Sequence, residues 1–318
     1  MRRVDVCNGD ADGLCALRQW RLQHPAADAR LVTGLKREIA LLDRVPAGSA
    51  DELVVCDISI DRNRAALTAL LDAGAQVRWF DHHEPGAPIV HARLAACIDT
   101  APAVCTSALV DRAVGGRHRA WAAVGAFGDN LLDLGRRLCA TAGVEGEAVE
   151  ALRRLGEAIN YNAYGDDERD VRLPPRELYA LMARYAQPWQ LLHGEPVIGE
   201  IEGQRQDDLA RAQALAPAWQ GEGFAAWLLP DAPWSRRVVG CFANELVRGR
   251  PATACAVLLP HRDGGWRVSL RAPAGAAQIA AGFGGSGRAR AAGIDRLPPE
   301  CLGALIAALP TAMRRRAV

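Results

Sequence analysis

Four short polar clusters in the N-terminal part of the chain could do chemistry together. The first is Asn8-Gly9-Asp10-Ala11-Asp12-Gly13. Two aspartates two positions apart in a tight turn can aim their oxygens into one pocket, although the same pattern also makes ordinary turns. The second is Asp57, directly after Leu53-Val54-Val55-Cys56. A lone carboxylate there also serves as a helix N-cap, a role for which Asp61 competes. The third is Asp81-His82-His83, after Gln76–Phe80. Adjacent histidines within a strand point to opposite faces, whereas in a turn at its end both can reach one cleft. The fourth is Asp129, where a polar pair interrupts the apolar stretch Ala123–Gly128. Together, Asp10, Asp12, Asp57, His82 and Asp129 offer four carboxylates and one imidazole. Hard oxygen donors with one or two imidazoles suit Mn²⁺ or Mg²⁺. Carboxylates converging on one cleft repel one another unless cations neutralise them. Two divalent ions about 3.5–4 Å apart would do so, and would clamp an in-line phosphoryl displacement.

These residues need elements that bring them to one edge. Val4–Cys7, Leu31–Thr33, Glu52–Cys56 and Gln76–Phe80 read as strands, and 13–22 and 62–71 have helical spacing. Alternation of this kind predicts a mainly parallel sheet with helices on both faces, in an α/β chain. Ligands of such sheets bind outside the carboxyl ends of the strands. That is the edge to which the acidic clusters fall. Residues 104–160 read as largely helical and 165–175 as a charged, proline-ended loop, followed by a helix over 176–187. A smaller second α/β segment comes next, with helices near 205–216 and 236–248, strands over 224–229, 254–259 and 266–271, a glycine-rich turn and a last helix over 298–308. Two domains are expected, 1–187 with a helical connector and 188–318.

The combination resembles the DHH phosphoesterase superfamily, which includes the exonuclease RecJ, nanoRNases and some exopolyphosphatases. Asn8–Gly13 resembles its first motif, Asp57 its second, Asp81-His82-His83 its third and Gly128-Asp129 its fourth. The resemblance implies that Asp10, Asp12, Asp57, His82 and Asp129 bind two divalent ions, Mn²⁺ with Mg²⁺ as the alternative, and that Asp57 bridges them. It places His83 near the metals and the scissile phosphate. Asn8 stands where the family has His or Asp. In the second domain, Gly284-Gly285-Ser286-Gly287-Arg288 resembles the glycine-rich substrate-binding motif of the DHH-associated domain, with Arg288 in place of the usual histidine. An arginine keeps a phosphate donor but cannot shuttle a proton. The roles implied are catalytic for Asp57, His83 and Arg288, and substrate-binding for Asn8, His83, Gly284, Gly285, Ser286, Gly287 and Arg288. The start of a helix at Cys105-Thr106-Ser107 offers either an anion site beside the metals or a plain cap. Arg271 is a further candidate for phosphate contact.

Composition narrows the substrate. The net charge is +1, so no global excess points to nucleic acid or a membrane, and Lys36 is the only lysine. No basic stripe is present to track a long strand. Short substrates are therefore expected: oligonucleotides of a few residues, linear or cyclic dinucleotides, or a phosphorylated nucleoside. Polyphosphate is the rival within the enzyme class, and a weakened member that binds a nucleotide or phosphate without cleaving it is the rival outside it. The nine cysteines form no CxxC pair and read as buried thiols. No long apolar region succeeds the N-terminus and no run reaches the ~18 residues of a membrane span. A cytoplasmic location is expected. No protein partner is evident, and a homodimer is compatible with the sequence. The basic tail Arg314–Arg316 reads as a solvated end.

Overall fold

The computed structural model describes residues 1–311, so Arg314–Arg316 lie outside the described residues. The apolar runs become β1 (Arg3–Asn8), β2 (Arg30–Gly34), β3 (Glu52–Cys56) and β4 (Gln76–Asp81), joined by β5 (Leu94–Ile98). All pair in parallel, in the order β2-β1-β3-β4-β5. The two-residue period sorts their side chains. Val4, Val6, Leu53, Val55, Val77 and Trp79 enter one core, with Leu67 and Leu70 of helix α2 (Ile60–Asp72; α1 is Ala11–Gln23). Cys7, Val54, Cys56 and Phe80 enter the core on the opposite face. There they meet α1, α3 (Thr106–Ala113), α4 (Arg119–Gly128) and α6 (Glu147–Asn162), while α5 (Leu132–Thr141) lies against α4. Burial on both faces is what a fully parallel sheet requires. Burial of large apolar side chains such as Trp79, Trp121 and Phe127 contributes roughly 1.5–3 kcal/mol each.

The chain forms two compact units, Met1–Gly203 and Gln204–Val318. Helices α7 (Pro175–Met182) and α8 (Pro188–Gly194) belong to the first, and Leu191 of α8 and Ile198 at the start of α9 (Pro196–Gln213) sit in its core. The second unit is a mixed six-stranded sheet, β10-β11-β9-β8-β7-β6. Its strands are β6 (Trp219–Gly221), β7 (Phe224–Leu228), β8 (Ala254–Pro260), β9 (Trp266–Arg271), β10 (Ser286–Arg288) and β11 (Ala291–Leu297). Only β7 and β8 pair in parallel, and α10 (Pro233–Gly249) makes the crossover between them. Two short helices, α11 (Ala276–Ala281) and α12 (Leu302–Ala308), complete it.

The glycine-rich stretch differs from the expected turn. Ser286, Gly287 and Arg288 form β10 and pair antiparallel with Ala291–Gly293 of β11. The glycines have a packing reason: a Cβ on Gly285 would fall 2.3 Å from the carbonyl oxygen of Gly293, and one on Gly287 2.4 Å from the Cα of Ala292. All nine cysteines are free and only Cys97 is exposed, as expected of thiols that fill cores. Among the described residues, no helix is long and apolar enough to cross a membrane.

Candidate metal centre

The sheet order reverses between β1 and β3, and a crevice opens at such a switch point beyond the carboxyl ends of the strands. The first acidic clusters lie there. Asp10 ends the turn after β1 and caps α1, accepting the Gly13 N–H at 3.0 Å. Asp12 stands in the first turn of α1 and is buried. Asp57 comes directly after β3 with φ +60, a left-handed conformation that costs a non-glycine residue about 1 kcal/mol or more. It does not cap α2, whose N-cap is Ser59. Asp129 is the C-cap of α4.

The side chains converge. Nε2 of His82 lies 3.3 Å from Oδ1 of Asp57 and 3.9 Å from Oδ2 of Asp12, and its Nδ1 is 3.9 Å from Oδ2 of Asp129. Asp57, His82 and His83 each offer one ligand atom, and these lie within 4.8 Å of one another. The histidines part at the strand end as a turn allows: His82 is buried, while the His83 side chain is 44% exposed and its Nδ1 bonds Asp81 at 2.7 Å. The Val104 carbonyl accepts from Nδ1 of His82 at 2.9 Å. That contact orients the ring and turns Nε2 toward the carboxylates, as in a metal-ligating histidine.

Electrostatics agree with a cation site. Burial, then the charges of Asp10 and Asp12, push the Asp57 carboxyl well above the usual carboxylate range. Burial alone would favour a neutral His82 ring, but Asp57, Asp129 and Asp12 outweigh it and push its pKa up to about 10. Without a metal the cluster therefore holds protons that the unfolded chain would release. A divalent ion would take their place, and its binding should strengthen as pH rises.

The start of α3 resolves differently from a free anion site. Thr106 and Ser107 donate their backbone N–H groups to Asp12, at 2.7 Å to Oδ2 and 2.8 Å to Oδ1. The carboxylate of Asp12 is itself the anion at this helix terminus. The Thr106 hydroxyl donates to Asp57 at 3.0 Å. Gly125 of α4 backs this arrangement, since a Cβ there would fall 2.3 Å from Oγ and 2.7 Å from Cβ of Ser107. Rotating the serine cannot relieve both clashes. Gly125→Ala is expected to cost about 1–3 kcal/mol by overpacking, read as a lower Tm of the metal-free protein. An unchanged melting curve would show that the helices do not approach so closely.

The structure thus brings Asn8, Asp10, Asp12, Asp57, His82, His83 and Asp129 to one edge of the first unit. Gly284 and Gly285, with Ser286, Gly287 and Arg288 of β10, belong to the second unit. There Arg271 bonds Asn244 of α10 at 2.8 Å and Ser269 at 3.1 Å, so it ties strand to helix.

The same arrangement of elements occurs in solved structures. The exonuclease RecJ bound to manganese matches with a TM-score of 0.64 at 20% identity, over 99% of this chain and 90% of that one. The DHH domain of a member of a ribosomal-protein family matches with 0.64 at 12% identity, over 99% and 87%. The chain has the DHH fold. The pGpG-specific phosphodiesterase PggH from Vibrio cholerae shares it, with a TM-score of 0.57 at 13% identity over 99% of both chains. No protein-family model and no curated protein matches the sequence.

The roles of four residues at this site escape sequence reasoning. The sequence offers Thr106 and Ser107 as an anion site or a helix cap, but not as donors to Asp57 and Asp12. Asp81 is fully buried and orients His83. Lys36 bonds Asp10 from the loop after β2, and its rarity as the only lysine is the one available signal.

Proposed function

We propose that the chain is a metal-dependent phosphoesterase of the DHH superfamily that hydrolyses phosphodiester bonds of short oligonucleotides or dinucleotides. The observation that carries this is the convergence of Asp57, His82 and His83 donor atoms within 4.8 Å, beside the buried Asp12, at the sheet's switch point. Asp10, Asp12, Asp57, His82 and Asp129 would hold the divalent metal, a pair of Mn²⁺ ions in our reading. When bound, it supplies positive charge for the developing phosphoryl oxyanion and lowers the pKa of water. The residues of the chain do the rest. Val104 orients the His82 ring, and Thr106 and the α3 amides fix Asp57 and Asp12. Asp81 grips Nδ1 of His83 and leaves Nε2 for a phosphoryl oxygen. In the second unit, Arg288 and the backbone from Gly284 to Gly287 are our candidates for binding substrate phosphate. Two proteins that share the fold are an exonuclease and a pGpG-specific phosphodiesterase, which supports a nucleotide substrate. The +1 net charge favours a short one and a cytoplasmic location suits it.

A Mn²⁺-dependent screen tests this reading, with short RNA and DNA oligomers, linear and cyclic dinucleotides, nucleoside phosphates and polyphosphate. Cleavage of a short oligonucleotide or dinucleotide, lost in Asp57→Asn, is the expected result. Cleavage of polyphosphate alone would move the chain to the exopolyphosphatases. Bound metal with no cleavage of any substrate would make it a nucleotide- or phosphate-binding member.

A further inference from the structure

The donor atoms of the DHH centre fall into two groups with different occupancy. On one side, Asp12, Asp57 and Asp129 stand 3.3–3.9 Å from the ring nitrogens of His82. Asp10, the fifth of the expected metal ligands, and Asn8, which stands where the family has His or Asp, make up the other side. That side is already filled by protein donors. Oδ1 of Asp10 accepts the Gly13 N–H at 3.0 Å, and its Oδ2 bonds the Lys36 ammonium. Oδ1 of Asn8 accepts the Asp10 N–H at 3.1 Å. The Nδ2 of Asn8 donates to the Lys36 carbonyl at 3.2 Å, so both polar atoms of this side chain are engaged by the protein.

The lysine is built into this position. Its backbone is held at both ends, by the Asn8 contact and by its own N–H donating to the Ala163 carbonyl at 3.0 Å. Its ammonium donates to Oδ1 of Asn160 at 3.0 Å and stands 5.7 Å from the Tyr164 ring centroid. The side chain is 24% exposed and Asp10 is 4% exposed. Groups from β1, α6 and the loop after it thus place one positive charge where a cation is required. Asn8 itself is neutral and adds no demand for positive charge on that side.

We infer that Lys36 takes the place of the second divalent ion, so that this centre works with one metal, held by Asp12, Asp57, His82 and Asp129, and one ammonium. The inference rests on the metal-dependent reading above and corrects its expected metal count. Asp57 is then a ligand of one ion and not a bridge between two, and Lys36 supplies fixed charge beside the substrate phosphate.

Counting metal tests it without reference to turnover. The purified protein is titrated with Mn²⁺, bound ions are counted, and the electron paramagnetic resonance spectrum is recorded. The wild type should bind one ion per chain with the spectrum of an isolated Mn²⁺. The double variant Asn8→Asp/Lys36→Ala, which introduces one of the two residue types the family has there and removes the ammonium, should bind two, with an exchange-coupled spectrum. Two ions in the wild type would overturn the inference and leave the phosphoesterase reading intact. A double variant that keeps only one ion would also overturn it. A wild type that binds none would overturn both readings. Should the double variant not fold, the wild-type count decides alone.

Discussion

Asp57→Asn is expected to abolish metal-dependent hydrolysis and to make the metal-free protein more stable. The first effect follows from position. Asp57 contacts His82 and Thr106 at the centre of the donor cluster. An amide there keeps the shape but removes a charge that the metal needs. Loss of such a preorganised electrostatic partner is worth up to roughly 10³-fold in rate, about 4 kcal/mol. The second effect follows from the missing cation. Burial and the neighbouring Asp10 and Asp12 raise the Asp57 pKa, so the folded state is penalised once the unfolded chain can ionise. That penalty is absent below the ordinary carboxylate pKa and grows as pH rises toward the raised value. The rise of His82 to about 10, which burial opposes, is owed in part to Asp57 and stabilises the fold below that pH, so its partial loss in the variant offsets some of this gain. Asparagine also tolerates the left-handed conformation at φ +60 better than most residues. Metal-free Asp57→Asn should therefore melt with the wild type near pH 4 and above it near pH 8, by on the order of 1 kcal/mol. Thermal melts in chelator at both pH values read this directly. A variant that is less stable at pH 8 would show that the carboxylates do not strain the metal-free fold.

Asp12→Asn is the same chemical change beyond the neighbouring strand, and its effect on metal-free stability should have the opposite sign. Both Asp12 oxygens accept backbone N–H groups of α3, at 2.7 and 2.8 Å. An amide can satisfy one of these donors, but its NH₂ meets the other donor to donor. Hydrogen bonds to a buried charge contribute about 1.5–3 kcal/mol each, and an unsatisfied buried N–H costs a similar amount. The variant should lose about 2 kcal/mol of stability and, as a missing ligand, most of its Mn²⁺ affinity. Urea unfolding of the metal-free protein separates the two effects. Equal or greater stability would mean that Asp12 does not anchor α3. The contrast between Asp57 and Asp12 comes from their partners. One carboxylate faces mainly other charges, and the other faces the N-terminal amides of a helix.

The sequence by itself determined where the chemistry could sit. Apolar runs end at Asn8, Cys56 and Asp81, and period-two burial on both faces builds a parallel sheet whose carboxyl edge collects the residues just beyond each run. That local rule needs no knowledge of distant residues, so Asp10, Asp12, Asp57 and His82 were legible one strand at a time. Tertiary structure decided what surrounds them. Lys36 meets Asn160 across 124 residues of chain, and Thr106 meets Asp57 across 49. No periodicity encodes such meetings, because they depend on how helices pack after the sheet has formed. The weak strands were hidden for a related reason. β5 is a partly exposed edge, and β10 and β11 are rich in glycine and alanine, so their extended form comes from pairing with a neighbour and not from propensity. The sequence thus placed the carboxylates, and the packing of distant helices placed the groups that balance their charge.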